Sequence, residues 1–529
     1  MERLAGKIML SNGFGRVAIA VLSGAIAALA LPPFGIFAAP FISFTLLVWL
    51  IDGTTGGPRG GVWSRGWKTF LVGWLFGLGY FVAGLWWLGN ALLLEAEDFA
   101  WALPLAILGL PACLAVFYGL ATMLANLLWS DGWGRVAALS ASFGLLEWLR
   151  SFVLTGFPWN AVGYGLMPIP LMMQTSNLVG IFGMSMIAVF VFSSPALIGT
   201  KKGLLPGLTL AAFMMLFHIG YGAYRLQQPL DVAADAMTVR IVQPSIDQSR
   251  KMLNEDRAEI FREHLRLSAL PPTAGQKKPD LIVWPETSVP FILSQNPDAL
   301  EDIANTLEDG QILLTGAVRM EDAGAGQAPR YYNSVYAIDS QGQIIGATDK
   351  VHLVPFGEYV PFENVLRSWG IENLVSLPGG FSAAASREPI TLPSGQTLTS
   401  FICYEIIFPG EVPADIERST AIVNVTNDGW FGDTPGPYQH FQQARIRAVE
   451  TGIPVIRAAN TGISAIIDPM GRIAAGLDYG QTGIIDSTLS RSATGVITSD
   501  MQQLHFWLLF STMLVISSIS RTGLMKRKN

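Results

Sequence analysis

Thr397-Leu398-Thr399-Ser400-Phe401-Ile402-Cys403-Tyr404-Glu405 is a β-branched and aromatic run that ends in a thiol and a carboxylate. It predicts a strand over 397–403 with chemistry at its polar end. Cys403 is the only cysteine of the polar part of the chain, and Cys113 lies far upstream in an apolar run. Two cysteines so placed build no disulfide framework, and neither sits in a metal-ligand cluster. A thiol of this kind is a candidate nucleophile. The competing reading, a small buried hydrophobe, fits less well with the polar end of a strand.

Two upstream segments are punctuated in the same way. In Leu281-Ile282-Val283-Trp284-Pro285-Glu286 an apolar strand runs into Pro and then a carboxylate. Glu286 therefore sits at a strand end, where α/β active sites gather, or else caps the next turn. Lys350-Val351-His352-Leu353-Val354-Pro355-Phe356-Gly357-Glu358-Tyr359 is pinned by Pro and Gly and reads as a rigid loop. Lys350 suits stabilising a thiolate and an oxyanion, or a plain salt bridge. Glu358 is a second carboxylate, and His352 reads as a structural hydrogen bonder rather than a base.

Around these segments, short β-branched runs alternate with turns at 238–243, 280–284, 311–318, 332–339, 342–349, 397–403, 421–426, 454–458 and 464–468. Helical periodicity appears over 253–269 and 438–451. The alternation predicts an α/β layered fold, and the apolar strands predict a sheet covered on both faces. The Asp339–Gly342 turn predicts a hairpin, and Glu321–Gln327 a loop.

The rest of the chain is different in kind. Of 529 residues 50% are hydrophobic and only 14% charged, against about 25% charged in soluble domains. The deficit falls on 17–223, while 231–500 reads as an ordinary globular domain. A net charge of −6 leaves no basic footprint and excludes nucleic acid as a partner. Apolar runs predict eight spans, near 17–34, 37–52, 69–93, 100–129, 136–157, 171–199, 204–223 and 505–521. Arg3, Lys7, Arg16, Arg59, Arg65, Lys68, Arg135, Lys201, Lys202, Arg521, Lys526, Arg527 and Lys528 all fall on one side of this topology. Glu95, Glu97 and Asp98 fall on the other. The positive-inside rule then predicts cytoplasmic termini and an extracytoplasmic 224–504. The expected domains are 1–223, 224–504 and 505–529. Glu147 and Arg150, one turn apart inside a span, are either functional or a self-neutralising pair. Trp86, Trp87 and Trp159 read as interfacial anchors, and His218 as a packing histidine.

Trp284-Pro285-Glu286, Lys350 about 64 residues on and Cys403 about 53 further resemble the Glu-Lys-Cys arrangement of the nitrilase superfamily. Lys350–Pro361, Phe401–Glu405 and Val425-Thr426-Asn427-Asp428-Gly429-Trp430-Phe431 tighten this, with many spans in front and one behind. Together they resemble the apolipoprotein N-acyltransferase family of the bacterial inner membrane. The resemblance implies an α-β-β-α sandwich inserted before the last helix of an eight-helix transmembrane domain. It also implies a ping-pong transfer from a phospholipid acyl donor to the amine of a diacylglyceryl apolipoprotein. In it Cys403 would be the nucleophile, Glu286 the general base and Lys350 the oxyanion-stabilising cation. Glu358 would support proton transfer, and Tyr404 and Glu405 would shape the nucleophile's turn. The pocket is expected to open at bilayer level, and Asn427–Phe431 reads either as an aromatic lid that includes Trp430 or as a turn with two packed aromatics. Where the family has Lys-Trp this chain has Lys251-Met252, so Met252 is expected to face the acyl chain. No cofactor and no metal are implied, and the expected state is a monomer among membrane lipids. Two rival readings are a membrane-anchored amidase acting on a small C–N substrate and a transporter with an extracytoplasmic binding domain. The latter would show paired broken spans in two similar halves, a symmetry this sequence does not display.

Overall fold

The computed structural model describes residues 1–55, 62–94, 96–230, 236–251, 253–324, 328–361, 380–493 and 495–526. Arg59, Glu95, Met252, Gln327, Arg527 and Lys528 lie outside the described residues. The chain forms two compact units, each discontinuous in sequence. One comprises 1–228, 434–439 and 497–529, the other 229–433 and 440–496.

The first unit is helical. Its long helices are Gly13–Ala28, Ala39–Thr55, Val62–Leu85, Leu110–Leu127, Gly134–Arg150, Ser176–Ser193, Leu204–Leu226 and Ser499–Lys526. Among the described residues five helical segments are long and apolar enough to cross a membrane, six if one bent pair counts as a single span. The expected eight are not reached by length. Helices 39–55 and 134–150 have 17 residues each, roughly 25 Å at 1.5 Å per residue, short of a hydrocarbon core of about 30 Å. Helices 13–28 and 62–85 meet backbone to backbone: a Cβ on Gly24 would lie 1.8 Å from Phe76 O, and one on Gly79 1.9 Å from Val21 O. Such small-residue contacts let apolar helices associate where water supplies no driving force.

Glu147 and Arg150 are fully buried and do more than neutralise each other. Their charged groups are 4.0 Å apart. Glu147 Oε1 accepts from Tyr118 OH at 2.7 Å and from Val162 N at 2.9 Å. The Arg150 guanidinium donates to Phe157 O and, at 2.9 Å, to Trp159 O. The pair staples the 157–162 turn onto the end of its helix, which stops at Arg150 instead of continuing to 157. Trp87 and Trp159 are buried rather than interfacial; their indole N–H groups donate to Gln439 Oε1 at 3.3 and 3.0 Å. Trp86 is 46% exposed, as an anchor would be. His218 is buried against Thr175 Oγ1 at 2.8 Å, a packing histidine as read.

The second unit stacks two six-stranded sheets, ordered β12-β1-β2-β3-β4-β5 and β11-β10-β9-β8-β7-β6. The strands are β1 (Thr238–Gln243), β2 (Leu281–Val283), β3 (Ile312–Glu321), β4 (Arg330–Asp339), β5 (Ile344–Asp349), β6 (Ile390–Thr391), β7 (Thr397–Ile402), β8 (Ala421–Thr426), β9 (Val455–Ala459), β10 (Ser464–Ile467), β11 (Ile473–Leu477) and β12 (Gly483–Thr488). Val239, Ile241 and Val283 of one sheet share a core with Leu398, Val423, Val425 and Ile456 of the other. Alternate residues Val242 and Ile282 face outward onto Phe261, Leu267, Ala299 and Ile303 of helices 257–268 and 297–306. Both faces are covered, which is why these strands read as continuous apolar runs. β8 and β9 are parallel and joined through helix 435–451, as a crossover requires. The architecture is therefore the expected α/β sandwich. β6, β11, β12 and helix 297–306 were not among the expected elements.

Candidate active site

The central parallel strands place their carboxyl ends together, and the chemistry-bearing residues follow those ends. Glu286 follows β2, Cys403 follows β7 and Asp428 follows β8, while Lys350 follows β5 at the end of the hairpin. Three residues here hold a left-handed backbone without being glycine: Thr287 (φ 47°), Cys403 (φ 54°) and Phe356 (φ 64°). Strain of this kind costs roughly 1–3 kcal/mol per residue and persists where the surroundings enforce it.

Glu286 is held from both sides. Ser288 N donates to Gly316 O at 2.8 Å and Gly316 N to Pro285 O at 3.2 Å. Gly316 is required by this approach, since a Cβ there would sit 2.6 Å from both Glu286 Cα and Pro285 O. Asn333 Nδ2 then donates to Glu286 Oε1 at 2.8 Å and to Glu358 Oε1 at 2.9 Å. Lys350 Nζ lies 2.9 Å from Glu358 Oε1 and 3.7 Å from Glu286 Oε1. Glu358 Oε2 accepts from Val354 N at 2.8 Å, closing the pinned loop on itself. The ammonium is buried, so burial alone would push it to lose its proton, but Glu358 and Glu286 outweigh that and raise its pKa. Lys350 is charged at every physiological pH.

Cys403 is 8% exposed and accepts a hydrogen bond from Thr426 Oγ1 at 3.5 Å. Burial and the Glu286 carboxylate push its thiol up, and Lys350 pulls it only partly back. The resting sulfur is a neutral thiol. Asn424 Nδ2 holds the carbonyls of Phe401 (2.8 Å) and Cys403 (3.1 Å). Behind it, Arg457 joins Asn424 Oδ1 to Asp428 Oδ2, the latter at 2.7 Å, and His440 Nδ1 meets Asp428 Oδ1 at 2.9 Å. Burial would raise the Asp428 carboxyl, but Arg457 and His440 hold it down at about 2.

The remaining expected residues fall around this centre. Glu405 is fully buried, with Oε1 accepting from Val351 N (2.8 Å) and His352 N (2.9 Å) and Oε2 from Ile402 N (2.6 Å). It fastens the strand leading to Cys403 to the residues that follow Lys350. Tyr404 OH donates to Leu353 O at 2.6 Å, and its ring lies 5.5 Å from Lys350 Nζ. His352 is engaged by Glu411 and stacked 4.0 Å from the Phe408 ring, the structural role expected of it. Trp430 is half-buried in a short turn whose base is pinned, with Asn427 Nδ2 on Gln248 Oε1 and Asp428 in its ion pairs. Among the described residues no group of three or more metal-ligating side chains occurs. Asn333, Thr426, Arg387 and the Asp428–His440–Arg457 cluster were not found from sequence. Asn333 and Thr426 sit inside or at the end of strands that look merely polar. Asp428 was read only as part of a turn.

The arrangement brings a neutral thiol, a buried ammonium and two carboxylates within electrostatic reach of one another. Residues 238–497 match the carbon-nitrogen hydrolase family, and residues 23–193 match the family described as apolipoprotein N-acyltransferase N-terminal domain. The apolipoprotein N-acyltransferase of Agrobacterium fabrum is 69% identical over 529 residues, covering 100% of both chains. That of Rhizobium rhizogenes is 61% identical, again over 100% of each. Among solved structures, an amidase from Nesterenkonia sp. aligns at 17% identity and TM-score 0.33, over 49% of this chain and 92% of its own.

Proposed function

The chain belongs to the apolipoprotein N-acyltransferase family, and from that premise we propose that Cys403, Glu286 and Lys350 carry the acyl transfer of lipoprotein maturation. The observation that carries this reading is Lys350, buried to 1% and held between two carboxylates while acting on the Cys403 thiol. A neutral thiol needs a base at the moment of attack. Glu286 takes its proton as the sulfur attacks the ester carbonyl of a phospholipid. The site then holds a thiolate in place of a carboxylate, so its total charge is unchanged and burial does not oppose the transfer.

The C–O π pair moves onto oxygen as the C–S bond forms, and Lys350 faces that oxyanion with a backbone N–H near Tyr404. Collapse breaks the ester C–O bond. The lysophospholipid alkoxide leaves with the proton from Glu286, and a thioester remains on Cys403. The N-terminal amine of a diacylglyceryl apolipoprotein gives a proton to Glu286 and attacks the thioester; the amide forms and Cys403 regains its proton. Glu358 and Asn333 keep Glu286 and Lys350 in register throughout. Residues 224–504 lie outside the cytoplasm in this reading, and both termini lie within it.

Intact-mass analysis of the purified full chain with phospholipid tests the scheme. One acyl adduct on the Cys403 peptide is expected, lost in Cys403→Ala together with transfer. Transfer that survives in Cys403→Ala would sink it.

A further inference from the structure

Arg387 takes no part in the chemistry above, yet its side chain is only 5% exposed. Its guanidinium lies 4.0 Å from the Phe401 ring centroid and donates to Ser400 O and Glu405 Oε2, both at 2.7 Å, and to Glu411 Oε2 at 3.3 Å. Glu405 Oε2 also accepts from Ile402 N, and Oε1 from Val351 N and His352 N. Every one of these partners is a donor. Only an ionised carboxylate accepts from all four, because a protonated one turns an acceptor into a donor.

We propose that Arg387 is a positioning residue for acylation: it keeps Glu405 in the form that fixes the spacing between the Cys403 sulfur and the Lys350 ammonium. The proposal rests on the Cys403–Lys350 reading. The charged groups facing Glu405 are Arg387 and Lys350, with Glu411 and His352 beyond Arg387. The Tyr404 hydroxyl is engaged elsewhere, on Leu353 O. Burial pushes the Glu405 carboxyl up, and Arg387, the His352 N–H and Lys350 outweigh it, leaving it below its ordinary value. Of these opposing influences Arg387 is the largest. Without it Glu405 takes up a proton at a pH where the intact protein stays ionised. The clamp then loosens on the acid side.

The test follows the rate of Cys403 acylation against pH, by intact mass, with the full chain in detergent and mixed micelles of total bacterial phospholipid. Arg387→Gln is expected to acylate at least about tenfold more slowly at pH 7, with half-saturating phospholipid unchanged and the acid limb moved to higher pH. Arg387→Lys should recover most of the pH 7 rate, with an acid limb between the two. Since the two residues act as one unit, Arg387→Gln/Glu405→Gln should be no slower than Arg387→Gln within about twofold. A wild-type rate and acid limb in Arg387→Gln, a double variant in which the losses multiply, or an Arg387→Lys as slow as Arg387→Gln overturns the proposal. If Arg387→Gln does not fold, an Arg387→Lys acid limb coincident with wild type overturns it equally. Absence of any adduct on wild-type Cys403 would defeat the triad reading itself, and the proposal with it.

Discussion

Burial sets the protonation states on which the chemistry depends. Cys403 stays a thiol because burial and Glu286 outweigh the pull of Lys350, and Lys350 stays an ammonium because Glu358 and Glu286 outweigh its burial. Lys350→Met removes the ammonium that lies within 4 Å of both the Glu286 and Glu358 carboxylates. Acylation should fall about 10²–10³-fold, the effect of losing one oxyanion donor, as read by adduct formation on Cys403. Asp428 gives a stability prediction. Its folded value of about 2 lies below the ordinary 3.8, so its contribution is fully present above about pH 4 and is lost as pH falls through 2. Asp428→Asn strands Arg457 and should cost about 3–5 kcal/mol at pH 7. Melting curves of the two proteins in detergent should converge toward pH 2. Cys403, Glu286 and Lys350 could be singled out in the sequence because each stands where an apolar strand gives way to polar chain. Asn333 and Arg387 could not, since their partners are set by cross-strand register and distant loops, which no local pattern encodes.

At the level of elements, the close approach of the Glu286 turn to β3 is the most exposed dependence. Gly316→Ala would place a Cβ 2.6 Å from Glu286 Cα and 2.7 Å from Thr287 N. Backbone has to move, and it moves Glu286, the proposed base. A kcat loss of about tenfold or more with KM for phospholipid little changed is expected, since misplacement acts on the reacting geometry. Steady-state kinetics with both substrates would check it. The central strands were legible because both their faces are buried. β11 (Ile-Ala-Ala-Gly-Leu) is largely exposed and has little β-branched character, and β6 has only two residues, so neither gave a periodic signal. Helix 297–306, with only Ala299 and Ile303 buried, shows too narrow a stripe to stand out.

For the whole molecule, the membrane reading makes its own demand. Basic residues gather on alternate connections, so an alkaline phosphatase reporter, active only outside the cytoplasm, should be active when fused at residue 230 and inactive at the C-terminus. The reverse pattern would invert the topology. Hydropathy found eight apolar segments, and among the described residues five helical segments, six with the bent pair, have the length and composition to cross, since hydropathy registers composition and not where a helix stops. Arg150 shows this: its guanidinium folds the chain back on itself while the apolar run goes on.

Glu405 grips the chain on both sides of a long interval, at Val351 and His352 and again at Ile402. The residues that follow Lys350 and the strand that leads to Cys403 are thereby tied directly to one another. A change in the interval that leaves those three N–H groups in place leaves the grip of Glu405 intact.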